Sequence, residues 1–294
     1  MSAHTQTKGA ASEMNSRATL VVAHPGHELR VHGWLETARP EVWVITDGSG
    51  RTNCSRIAST TRVLEAIGAV PGPVYGQLTD ADLYNSVLNF DHGYFVDLVD
   101  QLAIALVRDR VGFVTGDAQE GYNPAHDICR LIINAAVRLA KKKSTNQIAN
   151  YDFNLVGLPS RCSEELRSQS IWLDLDDTAF ARKLSAARNY PELQTEVEAA
   201  LTGFANERFS KHPKLAQRAR SDFGVTEIDN FRVECLRPVD VERHETTAFT
   251  GEAPFYEVYG QQQVLAGHYR QVIRYREHML PLAAALEAHI ERSI

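Results

Sequence analysis

The chain has 294 residues, and 31 Lys and Arg against 37 Asp and Glu give it a formal net charge of −6. That balance argues against a surface built to grip nucleic acid or anionic lipid, both of which want a basic excess. Hydrophobic residues make up 44% and charged residues 23%, ordinary globular usage that provides for a sizeable core and excludes wholesale disorder.

In chain order, residues 1–16 lack the apolar core of a signal peptide and predict a flexible lead-in. Ala18–Ala23 (ATLVVA) is a β-branched apolar run bounded by His24-Pro25-Gly26. It reads as a strand buried on both faces that ends in a tight turn. Residues 29–38 have weaker helical spacing. Glu41–Thr46 is a second strand, stopped by Asp47-Gly48-Ser49-Gly50. Residues 56–67 place Ile57, Thr60, Leu64 and Ile67 on one helical face and stop at Gly68. A helix over Asp80–Asn89 takes Thr79 as its N-cap. Over 94–108, Phe95, Leu98, Val99, Leu102 and Leu106 recur at helical spacing.

Val111–Thr115 is a third strand, followed by a polar loop over 116–123. A long helix begins at Pro124, a favourable first-turn proline, and runs to Lys141–Lys143. Residues 153–158 and 171–175 read as fourth and fifth strands. Asp176–Leu201 predicts a long helix divided or kinked at Pro191. Residues 210–263 are mixed, and 264–294 reads as amphipathic helix interrupted by Pro281. Strands alternating with helices imply an α/β fold: a mostly parallel, Rossmann-like sheet covered by helices on both faces. The expected organisation is one α/β domain over 17–205 with a C-terminal helical or irregular extension, 206–294, packed on it. No stretch approaches the ~20 apolar residues of a membrane span. The ligand site of such a sheet lies at the carboxyl ends of its strands. His24, Asp47 and the 116–123 loop all fall at such ends.

Two elements carry chemistry. In His24-Pro25-Gly26-His27-Glu28, two imidazoles three residues apart across a turn can converge on one point, and imidazole nitrogen suits zinc or another late divalent ion. In Glu120-Gly121-Tyr122-Asn123-Pro124-Ala125-His126-Asp127, His126 lies in the first turn of a helix. If the third strand neighbours the first, His126 approaches His24 and His27. Three protein ligands and a water make an open catalytic site. Each histidine alone is more simply a solvated or capping residue. The four cysteines (Cys54, Cys129, Cys162, Cys235) are too scattered for a metal knuckle and read as reduced thiols of a cytoplasmic protein. In the C-terminal part, Phe255, Tyr256 and Tyr259 precede Arg270, Arg274 and His278, which would line one face of a helix. That pattern suits either a sugar ring with an anionic group or a helix docked on the core.

Together, Ala23-His24-Pro25-Gly26-His27-Glu28, Thr46-Asp47-Gly48, Arg56 ahead of Ile67-Gly68, and Asn123-Pro124-Ala125-His126 resemble the LmbE/PIG-L superfamily over residues 18–160. Its members are zinc-dependent de-N-acetylases of amino-sugar conjugates. The resemblance implies His24, His27 and His126 as metal ligands. It also implies a zinc or other divalent cofactor such as Fe²⁺, and a small-molecule, sugar-like substrate, with homo-oligomer formation left open. Arg56, Tyr122 and Asn123 are the expected substrate-binding residues, and Asp47 serves either as a turn-former or in catalysis.

The departures from the family pattern are specific. The usual first motif is AHPDDE, whose first aspartate is the general base; Gly26 stands there and cannot take a proton. Its metal-binding aspartate is replaced by His27. Of the second motif, HPDH, only the last residue survives, as His126, with Asn123 and Ala125 at altered positions. A tris-histidine zinc site carries charge +2, which makes its bound water more acidic, near pKa 7 in such sites. Glu120 is the expected replacement base, ahead of Asp117 and Asp127, and Glu28 is the expected partner orienting an imidazole. The expected function is therefore a deacetylase-like hydrolase that attacks an amide bond with metal-bound hydroxide. The alternative is a non-catalytic relative that keeps metal or ligand binding, or a scaffold. A third reading has histidines that bind no metal.

Overall fold

The computed structural model of the protein describes residues 16–50, 53–145, 147–201, 213–223, 227–241 and 252–293. The lead-in expected over 1–16 lies, except for Ser16, outside the described residues, as do parts of 206–294. Among the described residues seven strands form one sheet: β1 (Ala18–Val22), β2 (Glu41–Thr46), β3 (Val70–Leu78), β4 (Phe113–Asp117), β5 (Ala149–Phe153), β6 (Ile171–Asp174) and β7 (Val233–Pro238). Their order is β3-β2-β1-β4-β5-β7-β6. Strands β1 to β5 pair in parallel, and β7 runs antiparallel between β5 and β6.

The helices are α1 (His32–Ala38), α2 (Ile57–Ile67), α3 (Asp80–Leu88), α4 (His92–Arg108), α5 (Pro124–Lys143), α6 (Glu164–Arg167), α7 (Asp177–Arg188), α8 (Gln194–Leu201), α9 (Pro213–Phe223), α10 (Phe255–Leu265) and α11 (Leu280–Arg292). Every residue of β1 and β4 is buried, as central parallel strands covered on both faces require. Alternate residues feed two cores. Val21, Ala23, Trp43 and Ile45 pack with α4, α5 and α11, while Leu20, Val22, Val42 and Val44 pack with α1 and Phe113. The two strands approach so closely that a Cβ at Gly116 would lie 2.1 Å from the Val21 carbonyl oxygen. That closeness is what brings the end of β1 to the end of β4.

The parallel sheet with helices on both faces is as the alternation implies, and several boundaries differ. Strand β3 was not expected, because Pro71, Gly72, Pro73 and Gly76 erase the usual strand signal. It lies at the sheet edge, where proline's missing N–H is tolerated, and its register with β2 shifts twice. The fourth expected strand, 153–158, overlaps β5 only at Phe153, and residues 154–158 lie in the loop that follows. The third begins at Phe113 rather than Val111. Within 210–263 the chain supplies β7, so the C-terminal part adds a strand to the sheet. Residues 266–274 are not helical. A single π-helical turn, Tyr275–Met279, leads into α11, with Pro281 in its first turn. Arg270, Arg274 and His278 therefore do not share a helical face.

Candidate functional site

The site stands where β1 and β4 end side by side. Pro25 and Gly26 turn the chain after β1, with Gly26 at φ +102°, and a 3₁₀ turn, His27–Val31, follows. The turn is anchored by Glu28, which is fully buried. Its carboxylate accepts the Gly26 N–H (2.7 Å) and the Thr60 hydroxyl (2.7 Å). Burial raises the Glu28 pKa to about 7. Thr60 in turn meets the Tyr190 hydroxyl at 2.9 Å. Glu28 thus holds the turn and reaches no imidazole through these bonds.

From the other side, Asn123 caps α5 by accepting the Ala125 N–H at 2.9 Å, and Pro124 opens the helix. His126 falls in that first turn, and the three imidazoles meet. Their ring centroids are 5.2 Å apart for His24–His27, 5.5 Å for His24–His126 and 4.7 Å for His27–His126. Imidazoles bound tetrahedrally to one ion at ~2.0 Å would have centroids separated by about 5 Å. The observed centroid distances are close to that value. Convergence of the donor atoms is not reached: among the described residues, no group of three or more His, Cys, Asp or Glu is arranged so that it could hold a metal ion.

The surroundings of the rings are strongly polarised. Asp117, at the end of β4, has no solvent exposure. Its Oδ2 accepts the Ala23 N–H at 2.8 Å and lies 2.9 Å from His27 Nδ1, while its Oδ1 is buried without a partner. His24 Nδ1 lies 2.8 Å from the Thr46 hydroxyl and 3.0 Å from Asp80 Oδ1. Burial works to raise the Asp80 pKa. The hydrogen bond and charge of His24, with bonds from Thr46 and Gly50, outweigh it and hold the carboxyl well below the usual range. Burial lowers the pKa of His27, helped by the charges of His24 and Arg56 and opposed by Asp117. Burial, then the other two imidazoles, lowers His126 further still. Both are therefore neutral at pH 7, the form that ligates metals. His126 Nδ1 is buried without a partner. Neutral imidazoles at ligand spacing, one with an unpartnered nitrogen, fit a late divalent ion in kind.

The other expected residues are placed as follows. Glu120 accepts the backbone N–H groups of Leu155 (2.8 Å) and Val156 (3.2 Å), tying down the loop after β5. Asp127 Oδ1 accepts the N–H groups of Glu120 and Gly121, both at 3.1 Å. Asp47 Oδ1 accepts the Ser49 N–H at 2.9 Å, which makes it a turn-former. Arg56 is the N-cap residue just before α2, and its charge reaches His27. Tyr122 lies 6.5 Å from His126 and stacks on Phe255 at 5.2 Å. The C-terminal aromatics thus border the site, whereas Arg274 pairs with Glu257 and Glu277. Sequence reasoning missed Asp80 altogether, since an acidic residue in a helix's first turn is commonplace.

No family model matches the chain, and no curated protein does. Among solved structures it is similar to the A40926 pseudoaglycone deacetylase Dbv21, at 17% identity and a TM-score of 0.46, over 78% of this chain and 99% of that one. It is also similar to the zinc-inhibited form of teicoplanin deacetylase Orf2, at 12% identity and a TM-score of 0.43, over 75% and 97%. A further likeness is to a deacetylase–bog complex of the teicoplanin biosynthesis pathway, at 13% identity and a TM-score of 0.43, over 76% and 99%. At these identities and scores the likenesses carry no functional weight, and function rests on the side chains.

Proposed function

We propose that the protein is a metal-dependent hydrolase of amide bonds, deacetylase-like, acting on a sugar-like or other polar small molecule. The observation that supports it most is the meeting of His24, His27 and His126, from two segments about a hundred residues apart, at the carboxyl ends of adjacent parallel strands. The motif resemblance to LmbE/PIG-L de-N-acetylases supports the same reading. These three residues would hold the ion, zinc or alternatively Fe²⁺. When bound, the ion polarises the acyl carbonyl and acidifies water.

The chain's own groups supply the rest. Asp117 keeps a proton on His27 Nδ1, which leaves Nε2 as the donor nitrogen. Its second oxygen, buried and unpartnered, is also the better-placed proton acceptor. Glu120 would first have to release Leu155 and Val156. Arg56 offers a cation to a substrate hydroxyl or anion, and Tyr122 an aromatic wall. One observation favours the non-catalytic alternative: at Gly26 the space of a side chain is taken by Leu193, whose Cδ1 would lie 2.4 Å from a Cβ there.

Elemental analysis of untagged protein, paired with acetate release from a panel of N-acetylated amino sugars, tests the proposal. About one zinc per chain, lost in His24→Ala and His126→Ala, together with acetate release is the expected result. Metal without turnover leaves the binding-only reading, and a stable, metal-free protein overturns both.

A further inference from the structure

Asp80 is 7% exposed and is the first residue of α3, whose Leu83 and Val87 pack in the same core as Val21 and Ala23. Three donors converge on its carboxylate. The Gly50 N–H reaches Oδ2 at 2.7 Å, the Thr46 hydroxyl reaches Oδ1 at 2.5 Å, and His24 Nδ1 stands 3.0 Å from Oδ1. An ionised carboxylate can only accept, so the ring nitrogen facing it must carry the proton.

Capping does not explain this placement. The N-terminus of α3 is already closed by a reciprocal pair: Thr79 accepts the Asp82 N–H at 3.1 Å, and Asp82 accepts the Thr79 N–H at 3.3 Å. Asp82 is exposed and Asp80 is buried, one turning to solvent and the other to the histidine cluster. The arrangement repeats, on a different element, what Asp117 does for His27.

We infer that Asp80 is a positioning residue: it holds the neutral His24 ring in the tautomer protonated at Nδ1, so that Nε2 keeps the lone pair a ligand needs. Thr46 completes the lock, with its hydroxyl between the Ala23 carbonyl (3.0 Å), Asp80 and the imidazole. The consequence for metal affinity rests on the proposed metal site; the consequence for the tautomer does not.

The test therefore has two readouts. Nitrogen-15 NMR of the metal-free protein, with His24 assigned by its loss in His24→Gln, reports the tautomer. Competition against a zinc chelator reports affinity. Asp80→Ala is expected to lose the pure Nδ1–H form and to weaken zinc binding roughly 10–100-fold, as removal of a ligand's hydrogen-bond partner does. Asp80→Asn, whose amide oxygen can still accept, should restore part of both, and it also serves if the alanine variant fails to fold. Asp82→Ala, which breaks only the cap, should change neither. Should His24 keep its tautomer and zinc its affinity in Asp80→Ala, the inference is overturned. A wild-type protein that binds no zinc defeats the proposed function instead, and the NMR result alone then decides the role of Asp80.

Discussion

Gly26 combines a φ of +102° with a neighbour, Leu193, whose terminal Cδ1 would lie 2.4 Å from an added Cβ and would have to shift. The segment around Leu193 is itself pinned: Tyr190 is fully buried against Thr60, and Glu192 accepts the Ser59 hydroxyl at 2.6 Å. Gly26→Ala should therefore cost about 1–3 kcal/mol, chiefly backbone strain. Combining it with Leu193→Ala should recover about 1 kcal/mol of that through steric coupling. Chemical denaturation of the four proteins of the cycle checks this, and strict additivity would show that Leu193 does not fill the site. The histidines themselves were legible, because spacing and strand ends put them at one edge. Asp80 was not, because its role depends on where β3 lies. It also alters the electrostatics expected from three bare imidazoles. Asp80 and Asp117 return negative charge to the cluster, so water there is less acidic than a +2 count implies.

The loop after β5 is held by Arg30, whose Nε reaches the Asn154 carbonyl at 3.1 Å, and by Glu120. Burial, only partly offset by the Leu155 N–H and the charge of Arg30, raises the Glu120 pKa to about 7. A carboxyl raised on folding binds its proton more tightly in the native state. Its stabilising contribution is therefore complete below about pH 4.5 and lost as pH rises through about 7. Relative to wild type, Glu120→Gln should gain about 1–2 kcal/mol of stability across that window, the partial exposure of the residue limiting the effect. Unfolding curves between pH 4 and 8 measure it, and a pH-independent difference would contradict it. Elements with clear local signals were readable: α5 has its proline start and its lysine-rich end, and it spans Pro124–Lys143 much as expected. Strands β3 and β7 were not. One carries prolines that only an edge position tolerates, and the other is fixed by pairing with strands distant in the chain.

Across the molecule, β7 binds the C-terminal part of the chain to the first helix after the site. Glu234 on β7 accepts the N–H groups of Gly33 and Trp34 at 2.8 and 2.9 Å and pairs with Lys183 at 2.8 Å, both side chains being buried. Lys183 also donates to the Arg30 carbonyl at 2.9 Å. Removing one partner strands a buried charge, so Lys183→Ala should cost about 3–5 kcal/mol. Thermal or urea unfolding reads this loss, and a change below ~1 kcal/mol would mean that Glu234 is sustained by its backbone donors alone. Within the described residues no helix is long and apolar enough to cross a membrane. The sheet brings three imidazoles together at the carboxyl ends of β1 and β4, and anomalous diffraction from zinc-soaked crystals tests the proposed ion site most directly. A single peak about 2.0–2.1 Å from one nitrogen each of His24, His27 and His126 is the predicted result. Zinc bound elsewhere, or no zinc at these residues, would contradict it.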